Sequence, residues 1–434
     1  MISDAARYKE AYVWIWLPGE TSPVVAGKLF PEKRSLLFNY GKSYLERENA
    51  ISIFDVELPL KQGIAPPLPG LDMPGCIRDS SPDAWGRRVI INKKLGVKGI
   101  KTDTAQLDEL AYLLESGSDR IGALDFQRSA TEYIPRASCA ASLDELLASA
   151  EKIEMGLPLA DDLDQALCHG SSIGGARPKA LIETEKIKYI AKFSLSSDIY
   201  NVVKAEFTAM RLAKIAGIDA APVSLEKALE KDVLLIERFD RIRTSNGWLR
   251  KSMISALTLL GLNEMMARYA GYEEFAEIIR HRFTEAPRFL KELFGRMVFN
   301  ILSGNTDDHA RNHAAFWDGD TLSLTPAYDI CPQGRAGNEA SQAMLISGNN
   351  RMSSLSLCLE AAHNFLISKK KALEIIENQI KAIAENWESV CDIARLNETE
   401  RQFLWGRQFL NPSIFYGRDK DSERLTNYAR MVLN

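Results

Sequence analysis

The 434-residue chain carries only six cysteines, Cys76, Cys139, Cys168, Cys331, Cys358 and Cys391, and none forms a C-x-x-C pair. Its five histidines complete no metal pattern with them. This spacing argues against a disulfide framework or a zinc module, and for reduced thiols in the cytoplasm. The first ten residues, Met1 to Glu10, hold no apolar signal region. No apolar run reaches the length of a membrane span, and runs such as Val233 to Ile236 read as buried strands. With 54 Lys and Arg against 58 Asp and Glu, the net charge is −4, so no global basic field draws nucleic acid. There is no internal repeat and no low-complexity tract. What remains is 46% hydrophobic and 26% charged, the composition of an ordinary globular protein with length for two or three domains.

The order of elements is α+β. Short β-like runs at Tyr12–Leu17, Val24–Phe30, Ser35–Tyr40 and Ile51–Leu58 predict a small barrel or sandwich. Pro82 then opens a predicted helix, capped by Ser80 or Ser81, and Leu107–Leu114 predicts another. Ser142–Glu151 reads as helix, and an acidic linker, Asp161 to Asp164, follows. Ala180–Ile182, Tyr189–Phe193 and Val233–Ile236 are predicted strands, with a helix at Val203–Ile215 between the last two. Apolar residues at helical spacing predict helices at Met253–Leu260, Tyr272–His281, Pro287–Leu302 and Lys371–Trp387. The expected division is a β-rich subdomain at 1–125, an α/β lobe at 140–240 and a mostly helical lobe at 241–434.

The chemistry concentrates in Asn305-Thr306-Asp307-Asp308-His309-Ala310-Arg311-Asn312 and Thr325-Pro326-Ala327-Tyr328-Asp329. Asp307 and Asn312 stand five apart (312 − 307 = 5), and Asp329 follows 17 later (329 − 312 = 17). Protein kinases space an Asp that accepts the hydroxyl proton, a metal-binding Asn and a later metal-binding Asp in this way. Two oxygen ligands suit a hard cation, while a further carboxylate stays free to orient the nucleophile. Loop Asp and Asn also serve turns, so the spacing alone is weak. Asp307 and His309 are both candidate bases, and the distance to Asn312 favours Asp307.

Other parts stand upstream in kinase order. Ser172 to Lys179 is a glycine-rich turn ahead of a strand, suited to backbone approach to phosphates, though a plain tight turn has the same composition. Lys192, in Ile190-Ala191-Lys192-Phe193, is like the strand lysine of V-A-I-K, or else an ordinary solvated lysine. Glu206, 14 residues on (206 − 192 = 14), is the preferred partner for that lysine over Glu185, which falls in a turn. Glu237-Arg238-Phe239 ends an apolar strand, where a connector presents backbone groups to a base. The cations Arg87, Arg88, Lys93, Lys94, Lys98 and Lys101 read as a solvated helix face ahead of a nucleic-acid contact.

In this order the parts resemble the HipA family of bacterial toxin kinases. The resemblance rests on Ser172-Ile173-Gly174-Gly175-Ala176-Arg177-Pro178-Lys179, Lys192, Glu237 to Arg241, Thr306 to Asn312 and Leu324 to Asp329. Asp79 to Asp83 and Asp119 to Ala123 resemble that family's small N-terminal domain. The resemblance implies a protein-kinase-like two-lobed α+β fold, with a small β-rich N-terminal subdomain and an all-helical C-terminal lobe. It implies an ATP- and Mg2+-dependent serine/threonine kinase. Gly174, Gly175, Ala176, Arg177 and Lys179 would meet the phosphates, and Lys192 the α and β groups. Glu237, Arg238 and Phe239 would line adenine, the first and last by backbone. Asp307 would be the catalytic Asp, Asn312 and Asp329 would hold magnesium, and His309, Arg311 and Tyr328 would flank the nucleotide. Ser172, with Ser171 beside it, matches a serine that family members autophosphorylate. The implied partners are a protein substrate such as an aminoacyl-tRNA synthetase and a helix-turn-helix antitoxin, with operator DNA reached through the antitoxin and no membrane. Arg177-Pro178 departs from the family's Gln-Glu; it adds a cation and removes an amide donor. A small-molecule phosphotransferase and a non-catalytic subunit of a DNA-bound repressor are the competing readings.

Overall fold

The structure, a computed structural model, describes residues 8–95, 107–136, 142–154, 177–194, 198–335, 337, 339–417 and 419–433. The chain divides into two compact units. The first comprises residues 1–197, 226–254 and 316–320, and the second comprises 198–225, 255–315 and 321–434.

The first unit opens with an antiparallel sheet of β1 (Ala11–Ile15), β2 (Val24–Glu32), β3 (Ser35–Tyr40), β4 (Ile64–Ala65) and β5 (Leu124–Gln127), in the order β4-β3-β2-β1-β5. Its inward residues, among them Val13, Ile15, Leu29 and Phe38, are fully buried, as the alternation in the sequence predicts. Gly27 is required in β2: a Cβ there would stand 2.2 Å from the Asn39 carbonyl oxygen. The predicted strand at Ile51–Leu58 does not form; only an isolated bridge joins Phe54 and Leu58. Side chains satisfy its backbone instead of a neighbouring strand. The Tyr40 hydroxyl accepts from Ile53 N–H at 2.9 Å and donates to the Leu58 carbonyl at 2.7 Å. Glu57 turns inward, and its carboxylate accepts from the N–H groups of Gly75 and Cys76, both at 2.7 Å.

A second sheet holds β6 (Lys179–Glu183), β7 (Lys188–Phe193), β8 (Val223–Ala228) and β9 (Lys231–Glu237), in the order β6-β7-β9-β8. Ala180, Ala191, Phe193, Val233 and Leu235 join a core with residues of the helices Ala84–Leu95 and Leu143–Glu154, including Trp85, Val89 and Leu147. The hairpin β10 (Arg241–Thr244) and β11 (Gly247–Arg250) follows β9. The predicted helix at Met253–Leu260 is a strand over Ser252–Ser255 and a short helix over Ala256–Leu259. Ser255 divides them: its hydroxyl caps the helix by accepting from Thr258 N–H at 3.2 Å.

The second unit is built on helices. The helix Ala286–Ser303 is buried along most of its length, with Leu290, Leu293, Phe294 and Val298 at the centre. The helices Tyr272–Arg282, Leu355–Ala361 and Lys369–Ile393 pack against it, and Lys369–Ile393 also packs on Val202–Ile215. The boundaries lie within a few residues of the sequence expectation, except that Lys369–Ile393 runs six residues past Trp387 (393 − 387 = 6). Among the described residues no helix is long and apolar enough to cross a membrane. The described cysteines, Cys76, Cys331, Cys358 and Cys391, are all buried and unpaired as disulfides.

Candidate active site

The helix Ala286–Ser303 ends at Gly304, whose φ of +70° turns the chain sharply. Gly304 N–H bonds the Ile301 carbonyl at 3.2 Å, and Asn305 N–H bonds the Asn300 carbonyl at 2.8 Å. The loop that begins there carries the two adjacent aspartates in opposite directions. Asp307 is exposed and Asp308 is buried.

Asp308 is a structural anchor that the sequence reading missed. The Tyr272 hydroxyl donates to its Oδ2, and His313 Nε2 lies 3.0 Å from the same oxygen. Burial opposes its ionisation, but His313 and the hydrogen bonds from His313 and Tyr272 outweigh burial and lower its pKa. With that anchor fixed, Asp307 is held on the open side of the turn. Its pKa is raised, by partial desolvation first and then by the Asp329 and Asp308 carboxylates, against the pull of His309.

The loop is tied to the segment bearing Asp329 at several points. Asn312 Nδ2 donates to the Asp307 carbonyl at 3.2 Å. The Tyr328 hydroxyl donates to the Arg311 carbonyl at 2.8 Å, and Asn305 Nδ2 reaches the Asp329 carbonyl at 3.5 Å. Ala327 N–H bonds the Asp219 carbonyl at 2.6 Å, and Ala221 N–H bonds the Ala327 carbonyl at 2.9 Å, which sets the segment in place. Asp329 itself has φ +59°, a left-handed conformation that a non-glycine residue holds at a cost of about 1–3 kcal/mol.

The donor set fits magnesium. The Asn312 amide nitrogen is committed to Asp307, so its oxygen is the end left for a cation, and Asp329 adds a carboxylate. Among the described residues no group of three or more His, Cys, Asp or Glu side chains forms a metal-holding cluster. Magnesium needs none, because it retains waters and takes phosphate oxygens beside one or two protein ligands. His309 Nδ1 is buried without a hydrogen-bond partner among the described residues, an orphaned group that a phosphate oxygen would satisfy. The Arg311 guanidinium pairs with Glu264 at 2.7 Å.

Of the remaining candidates, Lys179, Lys192, Glu185 and Glu237 to Phe239 lie in the first unit and Glu206 lies in the second. Lys179 and Lys192 stand directly opposite each other on β6 and β7 and are 4% and 9% exposed. Strand alternation puts them on the face away from Ala180, Ala191 and Phe193. Glu185 is in the exposed turn between β6 and β7, as expected. Glu206 is buried on the helix Val202–Ile215. Ser171, Ser172, Gly174, Gly175 and Ala176 lie outside the described residues. So do Lys98 and Lys101; of the other cations in that run, Arg87 pairs with Glu109 at 2.6 Å and Lys94 with Glu115 at 2.9 Å.

Arg238 is placed where no spacing rule points. Its side chain is buried among Asp119, Asp240 and Arg241. Arg238 and Arg241 both contact Asp119 Oδ1, at 3.0 and 2.9 Å, and both contact Asp240 Oδ2 at 2.8 Å. Gly122 N–H donates to the same Asp240 oxygen at 2.8 Å, and Lys188 reaches Asp119 Oδ2 at 2.7 Å. Burial opposes the charges of Asp119 and Asp240, but the arginines override it and hold both pKa values down. Burial and the charge of Arg238 lower Arg241 to about 10. The side chain of Arg238 therefore fixes the end of β9, and its N–H bonds the Lys188 carbonyl at 2.9 Å.

Residues 171–387 match the model of the HipA-like C-terminal domain, and residues 15–127 match that of the HipA N-terminal domain. The serine/threonine-protein kinase toxin HipA of Shewanella oneidensis is 28% identical over 183 residues, 37% of this chain and 42% of that protein. Y4mE of Sinorhizobium fredii is 28% identical over 127 residues, 28% of this chain and 30% of that protein. The aligned stretch thus spans less than half the length of either relative. Among solved structures, HipA in the Shewanella oneidensis complex of HipA, HipB and operator DNA superposes with a TM-score of 0.68 at 18% identity, covering 98% of this chain and 99% of that one. The α+β, kinase-like fold is shared with that structure. By the match to both domain models, the chain belongs to the HipA family.

Proposed function

We propose that the chain is an ATP- and Mg2+-dependent serine/threonine protein kinase, the toxin of a HipA-like toxin–antitoxin pair. The observation that carries the proposal is the second unit's arrangement. An outward Asp307 has a raised pKa, Asn312 is clamped to the Asp307 carbonyl, and Asp329 is held at positive φ close enough to act on Asp307.

In this reading the substrate hydroxyl hydrogen-bonds to the Asp307 carboxylate. Asp307 orients the oxygen toward the terminal phosphoryl group and accepts the proton as the new bond forms. Asn312 and Asp329 would hold magnesium, which would supply charge neutralisation at the phosphates. Lys179, Lys192 and Arg177, with the amides of Gly174 to Ala176, hold phosphate oxygens, and the unpartnered His309 Nδ1 meets another phosphate oxygen. Glu237 and Phe239 meet adenine by backbone. The protein substrate is a translation component such as an aminoacyl-tRNA synthetase, and Ser172 or Ser171 is the site of autophosphorylation. A helix-turn-helix antitoxin binds the chain and links it to operator DNA, the assembly that the Shewanella oneidensis structure is named for.

Intact-protein mass spectrometry with peptide mapping, after incubation with ATP and Mg2+, tests this. The expected result is an added phosphate at Ser172 or Ser171 in the wild type. Asp307→Ala should lose it, transfer falling by about 10²–10⁴-fold, the contribution of a positioned base, while calorimetric ATP binding persists. If calorimetry detects no ATP binding to the wild type, the kinase reading fails.

A further inference from the structure

The long apolar helix Ala286–Ser303 carries one buried cation, Arg296, which is 2% exposed. Its Nε donates to Glu292 Oε1 at 2.8 Å, one helical turn back. Its Nη2 donates to the Thr325 carbonyl at 2.7 Å and reaches the Asp219 carbonyl at 3.4 Å. Glu292 Oε1 also accepts from Asp219 N–H at 3.1 Å. A single ion pair thus holds both backbone groups of Asp219 and the carbonyl of Thr325.

Those backbone groups are the mounts of the two candidate metal ligands. Thr325 N–H donates to the Ala314 carbonyl at 3.0 Å, and the Thr325 hydroxyl reaches the same oxygen at 3.1 Å. Ala314 stands two residues after Asn312 (314 − 312 = 2). The Asp219 carbonyl accepts from Ala327 N–H at 2.6 Å, two residues before Asp329 (329 − 327 = 2). Arg296 therefore grips the place where the chain leaving Asn312 meets the chain approaching Asp329. A buried guanidinium is a costly brace, since packed apolar residues often stabilise as well or better. Arg296 Nη1 adds to that cost, being buried with no hydrogen-bond partner among the described residues. What an apolar residue cannot supply is a rigid fork that reaches Glu292 and two carbonyls at once. Magnesium demands near-ideal octahedral geometry, so the spacing of its two protein ligands has to be held closely.

We propose that Arg296, oriented by Glu292, is a positioning residue that fixes the separation of Asn312 and Asp329 for magnesium. The proposal rests on the protein-kinase reading. Calorimetry on the full chain would measure ATP affinity in Mg2+ and in EDTA, and the ratio of the two is the readout. Arg296→Lys keeps the charge and loses the fork. It should lower the ratio by about tenfold, as loss of a group that orients a metal ligand does, while affinity in EDTA stays at the wild-type value. Glu292→Ala should lower the ratio as well. Glu292→Gln should keep it, because an amide oxygen still accepts from Arg296 Nε and Asp219 N–H. Glu292 is only partly buried and alanine favours helix, so this pair of variants decides the matter even where Arg296→Lys does not fold. A wild-type ratio in Arg296→Lys or in Glu292→Ala overturns the proposal. Equal losses of affinity in Mg2+ and in EDTA also overturn it, because they mark a part in overall stability alone. A wild type whose ATP affinity ignores Mg2+ overturns the kinase reading, and the proposal with it; a wild-type ratio well above one that the variants retain overturns the proposal and leaves the kinase reading standing.

Discussion

Asp307 and Asp308 are chemically identical neighbours with opposite environments, so the same substitution should act on stability at one and on activity at the other. Asp308→Ala removes the acceptor for the Tyr272 hydroxyl and the partner of His313. Both are buried, and the Tyr272 hydroxyl also accepts from Asn300 Nδ2 at 3.5 Å. Leaving a buried polar group unsatisfied costs about 1–3 kcal/mol, so two such groups set the loss at about 2–6 kcal/mol. Asp307 is exposed and among the described residues its side chain makes no hydrogen bond of that kind, so Asp307→Ala should fall within about 0.5 kcal/mol of wild type. Urea denaturation followed by intrinsic fluorescence measures both. Unfolding midpoints that match for Asp308→Ala and wild type would refute the anchoring role. Equal losses for the two variants would refute the assignment of one aspartate inward and one outward.

Gly304→Ala should destabilise the second unit by more than about 1 kcal/mol, since it combines positive φ with a close approach to Gln408, and thermal denaturation would show it. Removing one partner from the buried cluster, as in Asp240→Ala, should cost about 3–5 kcal/mol, read by urea denaturation of the first unit. Asp119, Asp240 and Asp308 have depressed folded-state pKa values, so the stability they add is present at neutral pH and is lost as pH falls below about 4; acid titration of circular dichroism checks this. Asp307 has the opposite sign: the acid limb of its pH–rate profile should lie above the ordinary aspartate value of about 4, and Asp329→Asn should move ATP-independent proton binding at Asp307 downward, as NMR titration would detect.

Much of the architecture was legible because it follows local rules. Gly304 after a long apolar period announces a helix end, and the helix stops there. Alternation in Ser35–Tyr40 gives a strand with those bounds. Ile51–Leu58 misled because β-branched and aromatic residues there satisfy themselves through Tyr40, Tyr44 and the inward Glu57, contacts that span distances periodicity does not encode. Met253–Leu260 misled because Ser255 acts as a cap inside an apolar run. For the candidate site, spacing indicated Asp307, Asn312 and Asp329, and the second unit brings these three together. The inward turn of Asp308 was hidden, since its partners Tyr272 and His313 stand 36 and five residues away (308 − 272 = 36; 313 − 308 = 5). Arg238 was read as a base-binding residue from its neighbours, whereas its partner Asp119 lies 119 positions earlier.

The Asp119–Arg238–Asp240–Arg241 cluster carries a consequence for recombining this chain with a relative. Its members come from two stretches that sequence separates widely, and Gly122 N–H and the Arg120 carbonyl complete it. A graft that takes residues up to Gln127 from one parent and the remainder from another divides the charge set between donors. Asp119 and Asp240 together hold Arg238 and Arg241, with Lys188 on Asp119 as well, so a donor with a neutral residue at 119 leaves buried guanidinium charge uncompensated. Crossover points are therefore compatible only where both parents carry the full quartet, and the quartet behaves as one inherited character.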